Sequence, residues 1–413
     1  MDVFSKRGYE EDFKSIILDV ANLAKLDKQK GNKIIDASIG TFYNDSCELG
    51  SISLVKEALK NHITCDLGYG SIIGSNKYKE LMLRWFLKDD YEYISKNYRI
   101  PFAATLGGTG AVSASMHLFL DEGETILLPD IMWTNYKLVA DKANLNYLCY
   151  SLFNEKGMFN ITDLIYKVKE LKKTQKKIAI IINDPCHNPT GYCMTEEEYT
   201  NLYSFLDEEA KDCDITLLLD IAYIDYDECK NKKHLIFDVA LRKDYNFNIL
   251  FMASCSKTFG IYGLRIGALF TFTKNEEYER IFINSYKSFA RGIYSMPNTS
   301  SISAICSILK DDKMTLVQEE VKKNSEVLIK RGKEMERLLN LYNIKHYPYK
   351  NGFFVTLVTD GKANLIFEEL RLKHMYVVPM DENNIRLSVS NLKINEIKPL
   401  VDSIKEVYIK YSI

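Results

Sequence analysis

The sequence predicts an α/β fold, with a large domain around a mostly parallel central sheet between helices and a second, smaller α+β domain. Three observations carry this prediction. Short apolar runs alternate with longer helix-like segments through the middle of the chain. The runs are continuously apolar rather than alternating, as expected of strands covered on both faces. The chain has 413 residues, too many for one small core and enough for two domains.

In chain order, the candidate strands are Thr125–Leu128, Leu145–Ser151, Lys177–Asn183, Ile215–Asp220, Ile249–Ser254 and Ile266–Phe272. Helical pieces such as Glu196–Cys213 lie between them, the alternation that produces parallel sheets. A long charged helical pattern runs from about Lys310 to Leu341, and Tyr342 to Ile413 reads as short strands plus helices. The expected boundaries are a large domain over residues 46–309 and a small one over 1–45 and 310–413.

Composition narrows the function. A net charge of −2 provides no basic field for nucleic acid. The longest apolar runs, such as Ile178 to Ile182, are far too short to span a bilayer. Met1-Asp2-Val3 leads into no basic-then-apolar stretch, so a secretory signal is not expected. The nine cysteines are dispersed, which reads as reduced thiols in a cytoplasmic protein. The six histidines form no metal-binding cluster, and no metal is expected.

Four stretches carry chemistry. The sharpest is Ser254-Cys255-Ser256-Lys257-Thr258-Phe259-Gly260, followed by Gly263-Leu264-Arg265-Ile266-Gly267. A lysine at a strand end projects into the crevice where open α/β sheets bind ligands. If it is partly buried near another cation, its lowered pKa favours a Schiff base with a carbonyl. Ser254, Ser256 and Arg265 are suited to a phosphate. The second stretch is Asp220-Ile221-Ala222-Tyr223, where a carboxylate leaving an apolar strand needs a cation or donor. The third is Asn183-Asp184-Pro185-Cys186-His187-Asn188-Pro189-Thr190-Gly191, an irregular turn after a strand. The fourth is Leu106-Gly107-Gly108-Thr109-Gly110-Ala111, a Gly-rich helix start whose backbone N–H groups suit phosphate. Each has an ordinary structural reading too: a surface lysine with Arg265 in a salt bridge, an Asp capping the next turn, a tight loop, and a common helix start.

Together and in this order, the four resemble the aspartate/aromatic aminotransferases, class I of the pyridoxal-phosphate fold-type I enzymes. The resemblance runs from about Ile35 to Arg386. It implies that Lys257 is the Schiff-base lysine and proton shuttle, that Asp220 pairs with the pyridine nitrogen, and that Tyr223 and Asn188 bond the ring oxygen. It implies phosphate binding by Gly108, Thr109, Ser254 and Arg265, and ring stacking by Trp133. Tyr69 resembles the tyrosine that reaches a neighbouring subunit's phosphate, which implies a homodimer with shared sites. Gly40 and Arg386 match the positions that meet the substrate carboxylate. Arg291, in Arg291-Gly292-Ile293-Tyr294-Ser295-Met296-Pro297, resembles the arginine that binds a side-chain carboxylate from the partner subunit, without excluding aromatic substrates. The structural alternatives are core aromatics for Trp133 and Tyr69, a turn for Gly40, a surface pair such as Arg386 with Glu382, and a surface position for Arg291.

Three positions depart from the family pattern. Tyr136 and Asn183 stand where histidines are common in the layer behind the pyridine-binding Asp, and Met296 replaces an asparagine. The expected activity is transfer of an amino group between aspartate or an aromatic amino acid and a 2-oxo acid, by a ping-pong mechanism. The alternatives are a β-lyase or related enzyme on the same fold, and a non-catalytic binding module.

Overall fold

The computed structural model describes residues 3, 13–63, 67–227, 233–310 and 312–411. In chain order its strands are β1 (Ile35–Asp36), β2 (Phe102–Thr105), β3 (Thr125–Pro129), β4 (Asn146–Tyr150), β5 (Lys177–Asn183), β6 (Asp214–Asp220), β7 (Asn248–Ser254), β8 (Gly267–Phe270), β9 (Phe354–Val358), β10 (Met375–Tyr376), β11 (Val378–Pro379) and β12 (Asn384–Ser388).

The described residues fall into two compact units, one within Gly50–Cys186 and Cys193–Ser325, the other within Met1–Leu49, His187–Tyr192 and Glu326–Ile413. The first holds a seven-stranded sheet of order β2-β8-β7-β6-β5-β3-β4. The chain is parallel from β4 through β3, β5 and β6 to β7. Only β8 runs against its neighbours β2 and β7. Consecutive residues such as Leu217 and Leu218 have no solvent exposure, which requires cover on both faces of the sheet.

One reversed strand is consistent with the mostly parallel sheet the sequence predicts, but the apolar runs do not tell which strand reverses. Periodicity reports burial and not direction. The twelve residues between Ser254 and Gly267 hold only a four-residue helix and a 3-10 turn, too little for the crossover that a parallel neighbour requires. Two differences are local. β2 has the sequence Phe-Ala-Ala-Thr, whose alanines carry little strand preference. The helix expected over Glu196–Cys213 ends at Glu209. It begins with a capping box in which Thr195 and Glu198 each bond the other's backbone N–H.

β5 and β6 pair in full, from Lys177↔Asp214 to Asn183↔Asp220. Asn183, Asp220 and Ser254 therefore end parallel strands on the same side of the sheet, the carboxyl edge where such sheets bind ligands.

The second unit holds an antiparallel sheet of order β11-β12-β9 and the parallel pair β1-β10. Its buried Arg331 ties helix Lys313–Leu341 to the segment after β1. It donates to the backbone oxygens of Tyr43 (2.9 Å) and Ser390 (3.2 Å) and to Asp45 (2.6 Å). Among the described residues, no helix is long and apolar enough to cross a membrane.

Candidate active site

In the first unit, the site grows from the carboxyl ends of β6 and β7. Five apolar and hydroxyl residues of β6, Ile215 to Leu219, lead to Asp220, which is 6% exposed. Tyr136 donates its phenolic hydrogen to Asp220 Oδ2 at 2.5 Å, and the Ala222 amide donates to Oδ1 at 3.1 Å. Burial pushes this carboxyl above its ordinary range, while the two hydrogen bonds and the charge of Lys257 pull it back. Burial, and next the Asp220 charge, hold the Tyr136 phenol well above its ordinary range, so it remains a neutral donor. Asn183, at the end of β5, sends its amide to the backbone oxygen of Asp220 at 2.8 Å.

Lys257 follows β7 within the helix Cys255–Thr258, whose N-cap Ser254 accepts from the Ser256 amide at 3.2 Å. The Lys257 amine lies 4.7 Å from the centroid of the Tyr262 ring and 5.8 Å from that of Tyr223. Trp133 meets Tyr136 edge-on, with centroids 5.4 Å apart. Trp133, Tyr136, Asp220, Tyr223 and Lys257 thus form one connected group.

Arg265 takes a left-handed backbone conformation after the turn Tyr262–Leu264. It donates to Ser256 Oγ at 3.3 Å, to the Tyr262 backbone oxygen at 3.0 Å and to the Leu106 backbone oxygen at 3.3 Å. All three acceptors are neutral, so these bonds leave its charge for an anion. Opposite it, the helix Gly107–Phe119 begins. A Cβ on Gly107 would lie 2.6 Å from Arg265 Nη2, and the φ there is +69°. Glycine is the residue this close approach demands. Gly108 comes next, where a Cβ would touch that of Ser254 at 3.4 Å. Thr109 is exposed at the same helix start. N–H groups of a first helical turn together with an arginine make an anion site.

Tyr69 is 92% exposed and is not drawn into this group. Its neighbour Gly70 directs its amide at Met296 Sδ, 2.9 Å away. Gly68, Tyr69, Gly70, Ser71, Thr299 and Ile302 belong to the lining of a surface cavity of about 350 Å³. Arg291 is also exposed and bonds Ser295 Oγ. Tyr294 meets Tyr286 hydroxyl to hydroxyl at 2.6 Å, and Tyr286 bonds the Ala104 backbone oxygen at 2.6 Å. These bonds fix the loop after helix Glu276–Ile293.

The second unit contains Gly40, Asn188 and Arg386. Arg386 lies in β12, is 2% exposed and donates to the Ser38 backbone oxygen at 2.7 Å. Its guanidinium sits 4.4 Å from the centroid of the Phe354 ring on the adjacent β9. A Cβ on Gly40 would come within 2.4 Å of that same ring. Arg386, Phe354 and Gly40 are therefore packed as one cluster. The structural alternative, a surface pairing of Arg386 with Glu382, does not suit so buried a guanidinium. Asn188 is 6% exposed, in a loop whose Pro189 oxygen accepts from Thr356 Oγ1 at 2.7 Å.

Sequence reasoning did not single out Gly107, Tyr262, Ser38 or Phe354. Gly107 had a signal, since it stands first in the Gly-Gly pair before the helix. Tyr262 meets Lys257 and Arg265 within one local turn, while Ser38 and Phe354 are ordinary residues whose importance lies in their contact with the distant Arg386.

A family model described as aminotransferase class I and II matches residues 32–404. The mitochondrial aspartate aminotransferase of Dictyostelium discoideum is 23% identical over 384 residues, covering 90% of this chain and 86% of that protein. The crystal structure of an aminotransferase from Anaerococcus prevotii superposes with a TM-score of 0.91 at 24% identity, covering 98% of this chain and 99% of the other. A Burkholderia pseudomallei aromatic-amino-acid aminotransferase, covalently bound to pyridoxal phosphate, superposes with a TM-score of 0.79 at 21% identity, covering 98% and 100%.

Proposed function

The chain belongs to the aminotransferase class I and II family, and from that premise we propose that it moves an amino group between an amino acid, aspartate or aromatic, and a 2-oxo acid in two alternating half-reactions. It is an aminotransferase that uses pyridoxal 5′-phosphate and acts on small molecules.

The observation that carries this reading is the buried Asp220 carboxylate, bonded by Tyr136 and within reach of the Lys257 charge. Two hydrogen bonds do not fully offset its burial, so it accommodates a further cation such as a protonated pyridine nitrogen. Arg265, bonded only to neutral oxygens here, and the helix start at Gly107 accommodate a phosphate dianion. The donor set therefore fits pyridoxal phosphate. When bound, this cofactor supplies an aldehyde and an electron-withdrawing ring.

In this reading Lys257 Nζ would anchor the cofactor, and its free amine would take the proton from the substrate's Cα. Asp220 keeps the pyridine nitrogen protonated. Tyr223 and Asn188 donate to the ring oxygen, and Trp133 stacks on the ring. Gly108, Thr109, Ser254 and Arg265 hold the phosphate. Arg386 grips the α-carboxylate, with the Gly40 backbone beside it, and so orients the Cα–H bond. Arg291 binds a second carboxylate where the substrate has one.

We further propose a homodimer. Tyr69 and Ile293 are 92% and 64% exposed, and Arg291 is exposed on the same unit. A second copy would cover the apolar residues and receive Tyr69 and Arg291 at its own site. The free thiols, among them Cys47 and Cys149, suit a cytoplasmic location.

Lys257→Ala tests the reading. It is expected to abolish both transamination and the borohydride-sensitive visible band of the reconstituted protein. Full activity in that variant overturns it. A panel of aspartate, tyrosine, phenylalanine and kynurenine with 2-oxoglutarate identifies the donor. Release of ammonia in place of glutamate would show a lyase instead.

A further inference from the structure

A second carboxylate, half-buried, is hydrogen-bonded to the residue that follows Lys257 and has no part in the chemistry above. Asp225 sits in the 3-10 turn Ile224–Tyr226, which follows Asp220 and Tyr223 directly. Its Oδ2 accepts from Thr258 Oγ1 at 2.6 Å. The indole N–H of Trp85 donates to both oxygens, at 3.1 and 3.2 Å. Thr258 is the residue after Lys257. The next residue of the same turn, Tyr226, donates its hydroxyl to the Lys257 backbone oxygen at 2.8 Å.

These bonds matter because of what they hold. The helix Cys255–Thr258 has four residues, too few to be stable on its own. Its position is therefore set by its contacts. Ser254 caps its start, and Phe259, just past its end, packs edge-on against Trp85 with centroids 5.2 Å apart. The far end is pinned by Asp225 and Tyr226. An ionised acceptor makes roughly twice as strong a hydrogen bond as a neutral one, and this half-buried carboxylate holds two side-chain donors at once, Thr258 and Trp85. Asp225 is thus a stiff post. One seven-residue stretch carries Asp220 and Tyr223 at its start and the two pins of the lysine helix at its end.

We propose that Asp225 is a positioning residue that, through Thr258, sets the location of the Lys257 amine relative to Asp220 and Tyr223. The proposal rests on Lys257 being the cofactor-anchoring base. Asp225 touches neither substrate nor cofactor. Its effect is expected in turnover and in the electronic state of the bound cofactor, not in substrate affinity.

The test compares Asp225→Asn, Thr258→Ala and Thr258→Ser with wild type, each reconstituted with pyridoxal phosphate. Asparagine keeps the shape but presents an N–H₂ group to one of two donors. Asp225→Asn and Thr258→Ala are expected to lower kcat by about 10-fold or more, since small displacements of a reacting group are amplified in the rate. KM for the amino donor should stay within about 2-fold of wild type, because the carboxylate grip is untouched. The pH midpoint of the visible band should move in both variants. Thr258→Ser restores the hydroxyl and should return kcat and the midpoint to within about 2-fold and a few tenths of a pH unit of wild type. A purely structural role would lower Tm in all the variants and leave kcat and the band midpoint unchanged, and that result overturns the proposal. An absent visible band in wild type would overturn the anchoring role of Lys257 and this proposal together. An intact wild-type band with unchanged variants overturns this proposal alone. The Thr258 pair decides the matter by itself should Asp225→Asn fail to fold.

Discussion

Tyr136 and Asp220 share a hydrogen bond of 2.5 Å, with the phenol as donor and the buried carboxylate as acceptor. Burial raises both groups' affinity for a proton. The carboxylate nonetheless has the lower ordinary pKa, so the charge rests on Asp220 and the hydrogen on Tyr136. A histidine at this position would titrate near neutral pH. The phenol does not, so its support of Asp220 is the same across the physiological range.

Tyr136→Phe removes that donor and keeps the ring against Trp133. A hydrogen bond to a charged group contributes about 1.5–3 kcal/mol, so the variant's affinity for pyridoxal phosphate should fall roughly 10- to 100-fold. Spectrophotometric titration of the apoprotein measures this. An unchanged dissociation constant would mean that Asp220 does not depend on the phenol.

Gly107→Ala places a methyl group 2.6 Å from Arg265 Nη2, at a φ of +69°. The arginine must move, and the backbone is strained by about 1–3 kcal/mol. Affinity for pyridoxal phosphate should drop about 10-fold or more, while affinity for pyridoxal, which lacks the phosphate, should hardly change. Equal losses for the two compounds would place the damage outside a phosphate site.

Arg386→Lys keeps a charge but loses the planar fork and the stacking on Phe354. Steady-state kinetics should show kcat/KM for the amino donor reduced by roughly 100-fold, equivalent to about 3 kcal/mol. A change below about 3-fold would contradict carboxylate binding by this residue.

His234, 3% exposed, supplies a pH dependence of stability. Burial, and next the charge of Lys88, lower its pKa from 6.5 to about 3. The folded protein therefore holds a neutral imidazole where the unfolded chain takes up a proton. Stability is full above about pH 6.5 and is lost as pH falls towards about 3. Between about pH 6.5 and 5 the loss from this one group is on the order of 2 kcal/mol. His234→Gln should lose less stability than wild type between about pH 7.5 and 5, as read by urea denaturation. Parallel pH profiles for the two proteins would exclude the assignment.

Much of the site was legible because its residues stand at the ends of strands that are themselves legible. The apolar runs before Asp220 and Ser254 reveal buried strands, and the residues that close them must face the carboxyl edge of a parallel sheet. The Gly-Gly pair before a helical pattern marks an anion-binding helix start for a similarly local reason. β2 was not legible, because two of its four residues are alanine. The reversal at β8 was not legible either, since a buried run has the same composition in both directions.

By itself, the sequence determined which residues lie at strand ends and helix starts, because those positions follow from local periodicity and backbone chemistry. The tertiary structure alone decided what they meet. Tyr136 reaches Asp220 across 84 positions, and Trp85 reaches Asp225 across 140. Arg265 reaches the oxygen of Leu106 across 159. Such contacts depend on the order in which strands assemble into the sheet, and no local pattern encodes that order.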